Sequence, residues 1–158
     1  MKLVSFLPGN RLVAGSLTVT DDTGAIVFGP VPVRGKADGQ IAAAHGNPGR
    51  DPERIDGDHP TGRYRVVRVE KDKPPAHSYG PCFLLLDPVG GDALIAKQNG
   101  RSGLAIHGGD PAPDGSLRAT EGCLRVSNAT ATVLAGFIDP ELAAERAVEY
   151  ECKEEESA

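Results

Sequence analysis

Apolar positions in this chain come in short runs, several alternating with polar ones, and each run is stopped by Gly, Pro, Asp or Asn, the pattern of β-strands joined by turns. Leu3 to Leu7 is the first, ending at Pro8-Gly9-Asn10. Leu12 to Thr20 follows, with Leu17 and Val19 on one side and Thr18 and Thr20 on the other. Asp21-Asp22-Thr23-Gly24 turns the chain, and Ala25 to Val33 returns as the second arm of a hairpin. Pro30 and Pro32 put the far end of that arm at a sheet edge or in irregular chain, since proline has no N–H for a ladder. Arg34 to Pro60 has little apolar periodicity and much Gly, Asp, Pro and His, so a long loop is expected there, either one wall of a binding cleft or plain flexible chain. His45 and His59 are read as solvated side chains of that loop.

His59-Pro60-Thr61-Gly62 is a turn that launches a strand from Arg63 to about Glu70, in which Tyr64, Val66 and Val67 alternate imperfectly with Arg63, Arg65 and Arg68. Lys71 to Gly80 is a second polar loop, with Pro74-Pro75 and His77. Cys82 to Asp87 is a continuous apolar run suited to a buried strand, which makes Cys82 inert core. Gly90-Gly91 turns the chain into Ala93 to Ala96, and Asn99 to Gly103 turns it again into Leu104 to His107, leaving His107 at a strand end. Turn signals from Gly109 to Ala119 bring the next strand, Cys123 to Val126, back alongside, with Cys123 and Arg125 on one face and Leu124 and Val126 on the other. Asn128 is placed as the cap of a helix from Ala129 to about Ile138 with Val133, Leu134 and Phe137 as its apolar stripe; Asp139-Pro140 ends it, and Glu141 to Arg146 forms a further turn. Val148, Tyr150 and Cys152 then alternate with Glu149, Glu151 and Lys153 in a closing strand.

Composition narrows the picture to a mainly β single domain over 1–158, a curved mixed sheet or sandwich with one or two short helices near the C-terminus and a flexible acidic tail from 153 to 158. The net charge is -5 and the 17 Lys and Arg are scattered, so no nucleic-acid footprint is present. Three cysteines without a C-x-x-C pair suggest neither a disulfide framework nor a zinc ribbon, and the carboxylates show no ligand spacing, so no metal and no cofactor is expected. Nowhere do eighteen apolar residues occur together, which argues against membrane insertion. The apolar run in Met1 to Asn10 is too short for a signal peptide, so the chain is expected to be leaderless and made in the cytoplasm.

The chemistry concentrates at His107-Gly108 and, sixteen residues after the histidine, Cys123. A thiol attacks a carbonyl as thiolate, and an ordinary cysteine with a pKa of about 8.5 needs a base at neutral pH. His107 supplies one, giving a nucleophile and base able to form a thioester with an acyl donor. Gly122 allows close backbone approach, so the amides of Gly122 and Cys123 are candidates for an oxyanion hole, and Arg125 for a two-pronged carboxylate clamp. By spacing alone, a satisfied histidine beside a small core cysteine fits equally well.

The segment resembles the L,D-transpeptidase catalytic domain, cysteine enzymes of peptidoglycan. Their pattern is His-Gly, a gap of about this length, Ser/Thr-His-Gly-Cys, an apolar residue, Arg or Lys, and often an Asn; here it is met by His107-Gly108, Thr120, Gly122, Cys123, Leu124, Arg125 and Asn128. An upstream Thr-Pro-x-Gly-x-Tyr-like turn is matched loosely by His59 to Tyr64, and the opening hairpin is of the same kind. Glu121 stands where the family has histidine, which puts in question any role of that imidazole on the acceptor side, and a carboxylate there raises the thiol pKa unless His107 or Arg125 offsets it. The resemblance implies that fold, with Cys123 as nucleophile, His107 as base, Gly108 orienting the imidazole, and Arg125, Thr120, Glu121, Asn128, Arg101 and Ser102 on the substrate side. It implies peptidoglycan stem peptides as substrate: a tetrapeptide stem acylates Cys123, D-alanine leaves, and an amine or water takes the acyl group. The Gly100 to Asp110 block with Glu121 is similar to a leaderless branch that includes antibacterial type VI secretion effectors, implying a secretion apparatus, a cognate immunity protein, and action in the periplasm or cell wall. Two alternatives stand beside this: a peptidoglycan-binding module without turnover, and an unrelated cysteine hydrolase of proteins.

Overall fold

The computed structural model describes residues 1–71 and 77–155. Eight strands form one mixed sheet, ordered β3-β2-β1-β8-β4-β5-β6-β7. They are β1 (Lys2–Leu7), β2 (Gly15–Thr20), β3 (Ile26–Val33), β4 (Gly62–Glu70), β5 (Phe83–Gly90), β6 (Ala105–His107), β7 (Leu124–Arg125) and β8 (Glu149–Glu154). All neighbours are antiparallel except β1 with β8 and β6 with β7. The two ends of the sheet also meet: Arg34, just after β3, exchanges a pair of 2.9 Å backbone hydrogen bonds with Arg125 of β7. The curvature is therefore held by hydrogen bonds that remove part of both free edges.

The expected two-residue period is present. Leu3, Ser5 and Leu7 of β1, Leu17 and Val19 of β2, Tyr64 and Val66 of β4, Leu84 and Leu86 of β5, and Tyr150 and Cys152 of β8 all point inward. They join Ala131, Leu134, Ala135 and Ile138 of a helix over Asn128–Ala143 in one apolar core. Each fully buried leucine or isoleucine contributes about 1.5–3 kcal/mol.

Several local expectations differ. Three helices are present among the described residues, where one or two near the C-terminus were expected: α1 (Gly39–Ala44), α2 (Gly91–Gln98) and α3 (Asn128–Ala143). Within the expected 34–60 loop, Asp38 caps α1, its Oδ1 accepting the N–H groups of Gln40 and Ile41 at 2.9 and 3.0 Å. Ala93 to Ala96 lies in α2 because a four-residue apolar run does not distinguish strand from helix. Buried Ala93 and Ala96 let α2 lie close on the sheet, and Asp92 and Lys97 complement its dipole. A side chain at Gly62, whose φ is +131°, would put its Cβ 2.4 Å from the Gly90 carbonyl and 3.2 Å from Ala93 Cβ. The cap of α3 is Ser127, whose Oγ accepts the Thr130 N–H, and Asn128 is its first residue. That helix runs on through Pro140, since the donor lost there would have served only the exposed Gly136 turn. Val133 is exposed, and the buried stripe is 131, 134, 135 and 138. β2 begins at Gly15, leaving Leu12 and Val13 in an exposed turn, and β5 alternates buried positions with half-buried ones and the exposed Val89. Lys153 and Glu154, expected in the tail, are the last residues of β8, while 156–158 and Pro74-Pro75 lie outside the described residues.

His59, expected in solvent, is fully buried in the middle of the molecule. Its ring stacks on Tyr64 at 5.4 Å between centroids and lies 5.9 Å from that of Tyr150, whose hydroxyl is 3.1 Å from Nε2. Burial lowers its pKa to about 3, so the imidazole is neutral at all physiological pH. The unfolded chain, with a histidine near 6.5, takes up the proton first as pH falls. Stability is therefore complete above about pH 6.5 and declines as pH drops toward 3, by about 1.4 kcal/mol per pH unit for this residue. Urea titrations of the protein and of His59→Gln from pH 7 to 4 are expected to show a shallower acid slope in the variant; equal slopes would place the proton uptake elsewhere.

Candidate active site

β6 and β7 run parallel with Ile106 opposite Leu124 and His107 opposite Arg125. Cys123, just before β7, is thus on the same face as His107 and two residues out of register, a diagonal of about 8 Å between Cα positions that two side chains on one face can close. Both open into one cavity of about 550 Å³, whose other walls include Tyr79, Arg101, Ser102, Gly103, Thr120 and Glu121. Asp38, Ile41, Ile55 and Asp56 of the 34–60 segment form one side of it, the cleft wall that its length suggested.

The imidazole of His107 is 1% exposed, held face-on to Phe83 at 5.9 Å and against the edge of Tyr79 at 5.0 Å. Its Nδ1 is 2.7 Å from the Gly108 carbonyl. A carbonyl only accepts, so the proton is on Nδ1 and the lone pair is on Nε2, which is buried with no hydrogen-bond partner among the described residues. Gly108 thus orients the ring through its backbone. No larger residue fits there, since an added Cβ would stand 2.7 Å from Asn128 Oδ1 and 2.9 Å from the Gly80 carbonyl. Burial lowers the His107 pKa to about 4, opposed by that hydrogen bond and reinforced by Arg125 and His77.

The Cys123 thiol donates to the Gly103 carbonyl at 3.7 Å. Burial raises its pKa to about 11; the Ala105 N–H, Arg101 and Arg125 pull the other way, and Glu121 adds only the smallest upward push. Thiol and imidazole are consequently both neutral at rest. Cys82 and Cys152 are buried in the core at 5% and 2% exposure.

Several of the remaining predicted site residues hold backbone. Arg101 donates to the carbonyls of Pro52, Asp58 and Gly57 at 2.6, 3.1 and 3.2 Å, so it pins the base of the 34–60 loop, although its side chain also lines the cavity. Arg125 is 4% exposed and donates to the carbonyls of Gly108 at 3.2 Å, Ser78 at 3.4 Å and Gly109, with Nε left unpartnered; as placed it clamps loops rather than a ligand carboxylate. Asn128 Oδ1 accepts the Gly109 N–H at 2.6 Å. The Thr120 hydroxyl donates to the Cys123 carbonyl at 2.8 Å and accepts the Gly122 N–H at 2.9 Å. That last bond takes Gly122 out of the expected pair of oxyanion donors and leaves the amide of Cys123. Gly122 itself has φ +115°, and a Cβ on it would fall 2.0 Å from the Arg101 guanidinium. Ser102 and Glu121 are exposed on the cavity wall. Tyr79, Phe83 and His59 are the residues that sequence reasoning missed. Among the described residues no group of three His, Cys, Asp or Glu side chains could hold a metal, and no helix is long and apolar enough to cross a membrane.

A profile of the L,D-transpeptidase catalytic domain (YkuD) matches residues 26–144, more than half of the chain. Among solved structures, the chain is similar to the helical cell shape determining protein Pgp2 from Campylobacter jejuni, with 20% identity and TM-score 0.58, covering 98% of this chain and 48% of that one. A variant of the same protein gives 21% identity and TM-score 0.57, over 98% and 48%. Bd1075 from Bdellovibrio bacteriovorus gives 16% identity and TM-score 0.46, over 94% and 46%. The chain thus spans about half the length of these structures, and at such identity the likeness to Pgp2 speaks to the fold alone. No curated protein matches the sequence.

Alkylation separates a resting thiol from a preformed thiolate. The rate of Cys123 modification by iodoacetamide is expected to climb with pH through an inflection near 11, with Cys82 and Cys152 protected by burial; an inflection at or below 8 would mean a thiolate–imidazolium pair at rest.

Proposed function

Since the chain belongs to the L,D-transpeptidase catalytic domain family, we propose that it is a cysteine acyltransferase of peptidoglycan in which Cys123 is the nucleophile and His107 the general base. The observation that carries this reading is the lone pair of His107 Nε2, buried and unpartnered among the described residues, on a side chain that lines the cavity holding the only thiol of those residues not buried in the core.

A tetrapeptide stem enters the cavity with the carbonyl preceding its terminal D-alanine beside Cys123. The sulfur leaves the Gly103 carbonyl and bonds to the substrate carbon while its proton passes to Nε2. The carbonyl oxygen, now negative, is met by the Cys123 N–H. The intermediate collapses as the C–N bond breaks, and the imidazolium returns its proton to the departing D-alanine amine, leaving a thioester. His107 then takes a proton from the second nucleophile. An amine of another stem gives a crosslink, a D-amino acid gives exchange, and water gives L,D-carboxypeptidase activity. A low His107 pKa suits this cycle, because an imidazole protonated only in the intermediate is a strong enough acid to release the amine.

The finer placement, as an antibacterial effector delivered by a type VI secretion system, neutralised by an immunity protein and acting at the cell wall, is part of the proposal. Its support is Glu121 ahead of Gly122-Cys123 and the Gly100 to Asp110 segment, and toxicity on periplasmic but not cytoplasmic expression would test it.

Mass spectrometry of tetrapeptide muropeptides incubated with the protein is expected to show loss of D-alanine, its exchange or dimer formation, each with its own mass. Cys123→Ala is expected to keep the fold and lose all three, a drop of at least about a thousandfold. Turnover retained in that variant would remove Cys123 from the mechanism. Cleavage of casein with none of muropeptides would select a protein hydrolase instead.

A further inference from the structure

The peptide bond between Gly122 and Cys123 is gripped from the interior. His59 Nδ1 lies 3.0 Å from the Gly122 carbonyl oxygen, and both are buried. A carbonyl has no proton to give, so Nδ1 carries the hydrogen and Nε2 accepts from the Tyr150 hydroxyl at 3.1 Å. The Tyr150 oxygen, having donated its proton inward, is left to accept from Ser5 Oγ at 2.7 Å. Four groups thus align as one donor chain, Ser5 to Tyr150 to His59 to Gly122, wholly inside the core.

The Gly122–Cys123 bond is trans, which sets the Cys123 N–H opposite the carbonyl and so directed away from His59. That N–H has no hydrogen-bond acceptor among the described residues. A donor on an amide oxygen strengthens the N–H at the other end of the same amide, and a chain of donors adds to the effect.

Resting on the acyltransferase reading above, we propose that His59 is a positioning residue for the reaction: it fixes and polarises the Gly122–Cys123 peptide so that the Cys123 N–H meets the oxygen that becomes negative when the sulfur attacks. His59 touches neither substrate nor thiol. It acts through the amide, taking over part of the oxyanion work that Gly122, held by Thr120, does not supply.

Two reactions of the same sulfur separate this role from a general effect on structure. Acylation by a carbapenem passes through an oxyanion; alkylation by iodoacetamide does not. His59→Phe keeps a ring on Tyr64 and removes the donor, and is expected to slow acylation about tenfold while alkylation at pH 9 stays within twofold. His59→Gln, which restores an N–H donor, is expected to recover most of the acylation rate. Tyr150→Phe, which removes only the hydroxyl behind His59, is expected to slow acylation two- to threefold with alkylation unchanged. Should His59→Phe fail to fold, the ratio of the two rates in Tyr150→Phe carries the decision. Nitrogen-15 NMR of the unmodified protein at pH 7 is expected to show the Nδ1–H tautomer of His59. Equal falls in both rates, an unchanged ratio in the folded variants, or the Nε2–H tautomer would overturn the role of His59. A protein that is alkylated but never acylated, by carbapenem or by muropeptide, would instead overturn the acyltransferase reading.

Discussion

Backbone carbonyls buried by loops folding over one another are the constraint on which the site depends. An unsatisfied buried carbonyl costs free energy comparable to a lost hydrogen bond, so each needs a donor. The segments that meet around Cys123 pair through isolated bridges, Arg34 with Arg125 and Ala37 with Thr120, rather than long ladders, and side chains satisfy other carbonyls there. Arg101 holds Pro52, Gly57 and Asp58; Arg125 holds Ser78, Gly108 and Gly109; His59 holds Gly122; Thr120 holds Cys123. Removing any one of these leaves both a gap and unpaired acceptors, which is why cationic side chains are found at such low exposure here.

The electrostatics follow from that packing. Two guanidinium groups stand near the thiol, which would favour thiolate, but desolvation of the sulfur outweighs them. The imidazole is likewise kept neutral by Tyr79 and Phe83 around its ring. The resting site is thus uncharged at both the thiol and the imidazole.

Much of the fold was legible because alternation is a direct consequence of strand geometry: Leu17 with Val19, and Tyr150 with Cys152, declare their inward face in sequence. Cys123 and His107 were legible by their spacing across a turn-rich segment. Arg125 and Asn128 were found by position, but the backbone groups they hold were not legible, since a sequence displays a cation or an amide without its orientation. α2 was missed because its apolar run is too short for a period to show, and α1 because it interrupts a polar loop. His59 was missed for the same reason, yet a signal existed. Ser5 sits on the inward side of β1 between Leu3 and Leu7, and a hydroxyl in that position requires a buried polar partner. Tyr150, inward on β8, is that partner, and the chain of donors leads from it to His59.

The position of β8 has a consequence for how the molecule is made. It lies between β1 and β4, with Leu3 alongside Tyr150 and Tyr64 opposite the same residue. The hairpin unit of β1 to β3 and the strands β4 to β7, which position Cys123 and His107, are therefore joined side by side through β8, the last of the described strands in chain order. Without β8 the two parts of the sheet have raw inner edges at β1 and β4. Assembly is governed by contacts between distant parts of the sequence, a topology that favours slow and cooperative closure.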